Sequence, residues 1–382
     1  MTAKNNIPAD YKDSAVGIIP QEWEVKRLGA CFSIGHGRDY KNLSNGDIPV
    51  YGSGGIICYV GSFLHDGETV CIGRKGTINK PFYYNGPIWT VDTLFYTHSF
   101  QSVLPRYVGY LFDSIDWMRY NEATGVPSLT AKTISNIKKA VPPMEEQRKI
   151  AEILGVWDEA IEKQNRLIER LEVRKRALMQ RLLTGRTRLP GFTTPWQKFK
   201  LGEIFRERNE TRCEYLPLLS ITADKGVILQ SESDKKDTSN EDKSKYKKIC
   251  PNDIGYNTMR MWQGRSALSS LEGIISPAYT IVTPKVDVEM MFVSELIKQP
   301  RVVYDFWTHS QGLVGDTLNC KFHDFSQVKV AIPSLPEQMA IAEVLTTADN
   351  EIAIHRKKLA ALRQQKRGLM QQLLTGKTRV KI

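Results

Sequence analysis

The sequence predicts an α+β protein in which two α/β domains are separated by two long helices that form an antiparallel coiled coil, with internal pseudo-twofold symmetry. Residues 146–188 recur as residues 337–379, and 20 of the 43 aligned positions are identical at a constant offset of 191. Both copies carry a heptad pattern and no proline within the helix, whereas the segments that precede them are almost unrelated. Because internal repeats decide architecture before other signals do, we interpret the chain as a tandem duplication.

Composition limits the class of protein. The chain has 382 residues, of which 41% are hydrophobic, and this suits two or three domains with ordinary cores. A net charge of +11 is compatible with a polyanionic partner, with nucleic acid as the first candidate. The six cysteines include no CxxC pair, and there is no signal-peptide core and no run of about 18 apolar residues. We expect a cytoplasmic protein with reduced cysteines, no metal site and no membrane partner.

The two variable segments, residues 1–144 and 186–334, share only their ends. Each opens with a tryptophan followed by Leu-Gly and a phenylalanine, and each closes on a short apolar run that ends in proline. The matching positions are Trp23, Leu28, Gly29, Phe32 and Pro142 in the first segment and Trp196, Leu201, Gly202, Phe205 and Pro333 in the second. We predict two similar domains that present different surfaces.

The repeated segments, residues 145–185 and 335–382, are predicted to be helical spacers. Each helix is expected to begin just after a proline and to end in Leu-Leu-Thr-Gly, where the glycine can cap it. Around 39 residues at ~1.5 Å each give a rod of roughly 58 Å. A domain of about 150 residues is only about 30 Å across, so we expect the two rods to pack on each other.

Apolar residues in both copies follow an alternating spacing of three and four, which defines a heptad seam. We predict that these residues form the helix–helix interface: Ile150, Leu154, Trp157, Ile161, Ile168, Leu171, Leu178 and Leu182 in the first copy, and Ile341, Leu345, Ile352, Leu359, Leu362, Leu369 and Leu373 in the second.

Two polar pairs interrupt the seam at matching positions, Gln164 with His355 and Lys175 with Lys366. In a parallel, in-register pair Lys175 would face Lys366 in the core, and a buried pair of like charges is costly. In an antiparallel pair each lysine lies near the opposite end of the other helix and can reach solvent. Antiparallel pairing also suits two duplicated units related by a pseudo-twofold axis, which would match the local dyad of duplex DNA.

This order of variable and repeated segments resembles the specificity (S) subunit of Type I restriction-modification systems. The resemblance covers nearly the whole chain and rests on three motifs, each present twice. They are Pro-x-x-x-x-Gln-x-x-Ile-Ala-Glu-x-Leu from Pro142 and Pro333, Trp-x(4)-Leu-Gly from Trp23 and Trp196, and Leu-Met-Gln-x-Leu-Leu-Thr-Gly at residues 178–185 and 369–376.

The resemblance implies a non-catalytic subunit in a multisubunit methyltransferase and endonuclease complex. In that family each variable domain is a target recognition domain that reads one part of a split, asymmetric sequence in double-stranded DNA. The helices space the two domains and dock two methyltransferase (modification) subunits, to which restriction subunits can be added. No cofactor is implied in this chain, because S-adenosylmethionine and ATP are expected on the partner subunits.

Short motifs that suggest enzymatic chemistry occur in the wrong context. The segment Gly376-Lys377-Thr378 looks like the end of a P-loop, but the first glycine of that motif would fall at Gln371, inside a predicted helix. We interpret it as a helix cap. Glycine-rich residues 52–55 lack the GxGxxG spacing and are predicted to form a turn. No Asn/Asp-Pro-Pro-aromatic motif is present to hold a flipped base, so we predict no catalytic residue.

Three glycine-containing loops of the first variable segment are candidates for DNA contact. Residues 70–91 are predicted to form two strands joined by a basic loop, in which arginine and asparagine can read base edges and the lysines can reach phosphates. The loop at residues 35–41 has the same character, and the loop at residues 125–130 resembles one that members of the Type I specificity family place near the DNA. For each residue an exposed loop without a DNA role is the alternative. The candidates are Arg38, Tyr40, Lys41, Arg74, Lys75, Thr77, Asn79, Lys80 and Ser128.

In the second segment, residues 257–265 read NTMRMWQGR and concentrate four candidates, Arg260, Trp262, Gln263 and Arg265. Glutamine can pair bidentately with adenine and arginine with guanine. Trp262 is either an apolar wedge or part of the core.

Two charged segments leave two interpretations open. Residues 231–248 are rich in Asp, Glu and Lys without apolar periodicity, which favours a solvated insertion over a phosphate contact. After Glu351 the chain carries nine Lys or Arg and no acidic side chain. These cations either complement the helix C-terminus or contact DNA phosphates or an acidic partner.

A different class of protein, a coiled-coil adaptor whose two variable domains bind proteins, is the alternative to DNA recognition. Salt distinguishes the two, because DNA binding that neutralises several phosphates weakens steeply as salt rises, whereas a mainly apolar protein interface does not.

Overall fold

In a computed structural model of the chain, the structure describes residues 7–222, 225–233, 237, 239–312 and 318–381. The chain divides into two compact units, one made of Met1–Asn165 with Lys357–Ile382 and the other of Arg166–Arg356. Each unit contains one variable segment together with part of each long helix. Mixed helix and strand with two long helices confirms the predicted fold class.

The first unit is built on antiparallel β-structure with short helices. Its strands are β1 (Tyr11–Lys12), β2 (Ile19–Pro20), β3 (Glu24–Arg27), β4 (Ser33–His36), β5 (Asn45–Gly52), β6 (Gly55–Val60), β7 (Glu68–Gly73), β8 (Phe82–Asn85), β9 (Trp89–Thr90), β10 (Leu94–His98) and β11 (Lys138–Val141). Its helices are α1 (Pro105–Asp113), α2 (Ala131–Asn136) and the first part of α3 (Met144–Leu182). The principal sheet has the order β4-β10-β7-β8, and a smaller sheet has the order β6-β5-β9. Helix α1 packs on β7 and β8 over a core that contains Trp23, Phe112 and Trp117.

The second unit repeats this plan with a different sequence. Its strands are β12 (Gln197–Lys200), β13 (Phe205–Glu207), β14 (Leu219–Thr222), β15 (Gly226–Leu229), β16 (Lys247–Ile249), β17 (Ile254–Asn257), β18 (Ser266–Leu268), β19 (Gly273–Ile275), β20 (Tyr279–Pro284) and β21 (Lys329–Ile332). Its helices are α4 (Leu201–Ile204), α5 (Met290–Leu296), α6 (Pro300–His309), α7 (Phe322–Gln327) and the first part of α8 (Leu335–Leu373). The principal sheet, β13-β20-β17-β18, corresponds strand for strand to that of the first unit.

Within each unit, the beginning and the end of the variable segment pair with each other. Strand β3 pairs with β11, and β12 pairs with β21, so each segment closes on its own beginning. The Leu-Gly that follows each opening strand has a packing role. The leucines are buried, and a Cβ on Gly29 or Gly202 would lie 2.8 Å from the Cβ of Ser135 or Ser326. Only glycine allows the short helix that carries the serine, α2 in the first unit and α7 in the second, to approach this closely.

The long helices have the predicted length, with 39 residues each in α3 and α8. Helix α8 begins at Leu335, two residues after Pro333, and Pro336 lies in its first turn. Proline is tolerated there because the first N–H groups of a helix have no partner within it. After each helix, Gly185 and Gly376 adopt left-handed backbone conformations with φ of 67° and 70°, as expected for glycine caps.

In the structure, every seam residue named above is at least half-buried. The buried ones are Ile150, Leu154, Ile168, Leu171, Leu182, Ile341, Leu345, Ile352 and Leu373, and the half-buried ones are Trp157, Ile161, Leu178, Leu359, Leu362 and Leu369. The residues at the helix ends, such as Leu154 and Leu345, belong to the cores of the two units. The helices therefore pack on their domains at their ends as well as on each other.

The two seam lysines form ion pairs that establish antiparallel packing within each unit. In the first unit the Lys366 ammonium lies 2.5 Å from Asp158, and in the second the Lys175 ammonium lies 2.6 Å from Asp349. These pairs are equivalent under the 191-residue offset. The expectation that the lysines reach solvent is wrong, because both are largely buried and each meets the repeated aspartate of the other helix.

A second equivalent pair joins the beginning of each long helix to the segment after the other. Arg379 binds the buried carboxylate of Glu146 through two hydrogen bonds of 2.8 and 3.0 Å, and Arg188 binds that of Glu337 through two of 2.6 Å. Trp23 Nε1 also donates to Glu146, at 2.9 Å. The final arginine of each repeat thus completes the fold of its unit.

Both charged segments differ from expectation where the structure describes them. Residues 234–236 and 238 of the predicted insertion lie outside the described part, but Tyr246 is buried and Lys247–Ile249 pairs with β19. Of the cations after Glu351, four have partners inside the protein: Arg356 with Glu172, Arg363 with Asn165, Lys366 with Asp158, and Arg379 with Glu146. Lys366 and Arg379 therefore have an intramolecular role, whereas Arg356 and Arg363 remain exposed beside their partners.

Candidate nucleic-acid interface

In the first unit the basic loop predicted within residues 70–91 spans residues 74–81 and joins β7 to β8. Its backbone is fixed from two sides. The Arg74 N–H donates to the Thr93 carbonyl and the Arg74 carbonyl accepts from the Leu129 N–H, both at 2.8 Å. The Gly76 N–H donates to the Pro127 carbonyl, also at 2.8 Å. The loop at residues 125–130 therefore lies against the basic loop, and two of the three predicted loops meet.

Side-chain exposure separates the candidates on this loop. Arg74, Lys75, Asn79 and Lys80 are exposed, whereas Thr77 is half-buried and precedes Ile78, which is 1% exposed. The loop is tight because a Cβ on Gly73 would lie 2.1 Å from the Thr77 carbonyl oxygen. Thr77 and Ile78 thus anchor a turn that presents its cationic and amide side chains to solvent.

The third predicted loop, residues 35–41, joins the other two through the segment after β9. The Arg38 N–H donates to the Thr90 carbonyl at 2.8 Å, and Arg74 Nη1 donates to the Asp92 carbonyl at 3.3 Å. Arg38 and Lys41 are exposed. Tyr40 is half-buried against the small core that contains Val50 and Trp89, so it has a packing role.

Two tyrosines of β8 are also held by the protein itself. The Tyr83 hydroxyl donates to Glu68 at 2.5 Å, and the Arg106 guanidinium lies 4.7 Å from its ring centre. Burial, together with the hydrogen bond to Glu68, raises the pKa of Tyr83 to about 12. Tyr84 packs on Tyr51. Both aromatic rings are therefore structural.

In the second unit the predicted loop occupies the equivalent hairpin. Residues 258–265 join β17 to β18, and the Thr258 carbonyl accepts from the Cys320 N–H at 2.9 Å, as Arg74 does from Leu129. A 3₁₀ turn, Met261–Gln263, is closed by Gly264 at a φ of 72°. Two loops of unrelated sequence thus stand at the same position on equivalent scaffolds.

Arg260, Gln263 and Arg265 are exposed on this loop. Trp262 is half-buried, and its Nε1 donates to the Met259 carbonyl at 2.9 Å, so part of its surface remains accessible. The loop borders a groove of about 660 Å³. Its other lining residues come from separate strands and loops and include Lys225, Asn257, Tyr279 and Lys298.

Sequence reasoning found the loop but missed most of these groove residues. Asn257 falls inside the predicted segment, whereas Lys225, Tyr279 and Lys298 lie tens of residues from one another. No motif connects them, because only the folding of the sheet brings them to one groove.

Two different exposed basic loops on two equivalent scaffolds are the arrangement that the sequence predicts for a protein that recognises DNA. The profile of the family described as the Type I restriction modification DNA specificity domain matches residues 20–173 and 296–364, which is more than half of the chain. The chain belongs to this family, and DNA sequence recognition is its function. No helix among the described residues combines the length and apolarity needed to cross a membrane.

Curated relatives agree with this assignment, and solved structures share the fold. The Type I restriction enzyme MjaVIII specificity subunit of Methanocaldococcus jannaschii is 27% identical over 68% of this chain and 66% of its own length. The putative MjaX specificity subunit of the same organism is 24% identical over 97% of both chains. The S subunit of a Type I system from M. genitalium has a similar fold, with a TM-score of 0.61 at 13% identity over 98% of both chains. A chain from a study of complex assembly in the type I R-M system gives a TM-score of 0.57 at 17% identity, over 94% of this chain and 99% of its own.

Proposed function

We propose that this chain reads a split, asymmetric sequence in double-stranded DNA, with one variable domain for each half-site, and docks two methyltransferase subunits to which restriction subunits can be added. The chain itself contributes recognition in the cytoplasm. S-adenosylmethionine and ATP bind to the partner subunits in this proposal.

One observation carries the proposal. The loops at residues 74–81 and 258–265 have unrelated sequences but occupy equivalent hairpins, and each presents exposed arginine with an exposed amide side chain. Arginine matches guanine, and asparagine or glutamine matches adenine, by paired hydrogen bonds in the major groove. Equivalent positions with different side chains are what two half-sites of different sequence require.

The repeated residues support the docking part of the proposal. In each unit the ion pairs of Glu146 or Glu337, and of Lys366 or Lys175, are made by repeated residues. Two identical methyltransferase subunits would therefore find the long helices held by the same ion pairs in both units.

Substitution of the loop arginines tests the assignment of half-sites. Arg74→Ala and Arg260→Ala should each relax recognition at one half of the split site, by about 1 to 3 kcal/mol for each lost bidentate contact. The readout is methylome sequencing of the host, with the gene deleted as the reference. If both substitutions alter the same half-site, the pairing of one domain with one half-site is wrong.

A further inference from the structure

Helix α6 of the second unit exposes two large aromatic side chains. Val302 and Phe306 face the core, whereas Tyr304 and Trp307 are 59% and 48% exposed. The two exposed rings lie next to each other, with centroids 5.6 Å apart and planes at 35°. A paired Tyr and Trp left in water forms an apolar patch, and such a patch commonly marks a contact surface.

The aromatic pair borders the candidate reading loop. Helix α6 packs against the 3₁₀ turn Met261–Gln263, and a Cβ on Gly264 would lie 3.1 Å from the Val303 side chain. Trp307 follows Val303 by four residues and therefore lies on the same face of the helix, one turn further along. In the loop itself, Met259 is 49% exposed. The helix that carries the aromatic pair therefore packs directly on the loop that carries Arg260 and Gln263.

Among the described residues of the first unit, the corresponding aromatic pair is not exposed: the rings of Trp117 and Tyr120 lie 6.3 Å apart, but Trp117 is buried and Tyr120 is half-buried. Helices α1 and α5 correspond, since the residue before each donates its N–H to the side chain of Gln147 or Gln338. The element after α1 is a 3₁₀ turn, Trp117–Tyr120, in which Trp117 is 1% exposed. A partner that docks in two equivalent copies would contact features that both units share. An exposed aromatic pair that only one unit carries is instead expected to contact the half-site that this unit reads.

We infer that Tyr304 and Trp307 are specificity-determining residues that contact duplex DNA in the half-site of the second unit. The inference rests on the proposed function. Helix α6 carries one arginine and one aspartate, so it offers little attraction for phosphate, which the loop arginines supply. The aromatic rings provide a flat apolar surface for deoxyribose and for thymine methyl groups in the major groove.

Binding of the full-length protein, assembled with its methyltransferase subunits, to three duplexes tests the inference. One duplex carries the methylated motif found by methylome sequencing, and each of the others has one half-site scrambled; the Arg260→Ala phenotype assigns the half-site of the second unit. The variants are Tyr304→Ala with Trp307→Ala, and Trp307→Phe alone. Tyr215→Ala is the matched control, since Tyr215 is 80% exposed in the same unit and distant in sequence from the patch.

The double variant should bind the intact duplex about tenfold more weakly, because loss of a side-chain contact with the bases of a half-site costs roughly 1–3 kcal/mol. The loss should persist when the first half-site is scrambled and disappear when the second is scrambled. Trp307→Phe and Tyr215→Ala should bind nearly as the parent does. Parental affinity in the double variant overturns the inference, as does loss of the methyltransferase subunits from the assembly. A parent complex that binds all three duplexes equally overturns the proposed function and the inference with it.

Discussion

Removal of Arg379 isolates the contribution of the repeated arginine to the fold. The Glu146 carboxylate is fully buried, and it receives two hydrogen bonds from Arg379 and one from Trp23. Arg379→Ala leaves this carboxylate in the core with only the indole donor. The second bond partner of Arg379, Glu22, is 66% exposed at its side chain and contributes little.

The size of the effect follows from burial. Removing one partner of a buried ion pair costs on the order of 3–5 kcal/mol, because the remaining charge is left without compensation. The Arg379 side chain is 30% exposed, and water can enter where it stood. Together with the retained Trp23 hydrogen bond, this brings the expected loss to about 2–3 kcal/mol. Arg188→Ala in the second unit should be more damaging. Trp196 matches Trp23, but its Nε1 has no hydrogen-bond partner among the described residues, so no indole donor remains for the Glu337 carboxylate.

Urea unfolding of the full-length protein, combined with hydrogen exchange, measures this loss. Arg379→Ala should speed amide exchange in residues 138–150 and leave residues 329–341 unchanged, because the second region belongs to the other unit. In a Glu146→Gln background the same substitution should cost ~2 kcal/mol less, since no buried charge remains. A loss below about 1 kcal/mol, or no coupling between the two substitutions, would refute the assignment of a stabilising role to this pair.

The remaining predictions concern the helix pair, the caps and the loops. Lys175→Asp should lower the melting temperature and the added Asp349→Lys should restore it, because the reversed pair regains its attraction; no recovery would contradict the ion pair. Gly376→Ala should destabilise more than Gly185→Ala in urea unfolding. Both lose ~1–2 kcal/mol from the left-handed backbone, but a Cβ at 376 would lie 2.5 Å from Pro20, against 3.4 Å from Trp196 at 185. Lys80→Ala should reduce the slope of log affinity for DNA against log salt by ~0.9 without changing the preferred sequence, and an unaltered slope would exclude a phosphate contact.

The candidate interface was accessible to sequence reasoning at the level of loops rather than residues. Glycine, arginine and amide residues between two strand-like runs identified the loops at residues 74–81 and 258–265, because the residues that favour a turn lie next to one another in the sequence. Whether a side chain of such a loop is exposed depends on elements that are distant in sequence. Tyr40 and Tyr83 are polar aromatic residues of the same region, yet each packs in the protein, whereas Tyr304 and Trp307 belong to an amphipathic helix whose exposed side has no sequence signature of its own.

The sequence by itself determined the duplication, the two 39-residue helices, their glycine caps and their antiparallel packing. These features follow from periodic or repeated residues, and the misfit of Lys175 with Lys366 in a parallel pair excluded the other orientation. Only the tertiary structure decided the partners of those lysines, the pairing of Glu146 with Arg379 across 233 positions, and the equivalence of two hairpins that share no sequence. The physical reason is that a contact between distant residues depends on how whole elements pack, and neither residue carries a local mark of the other.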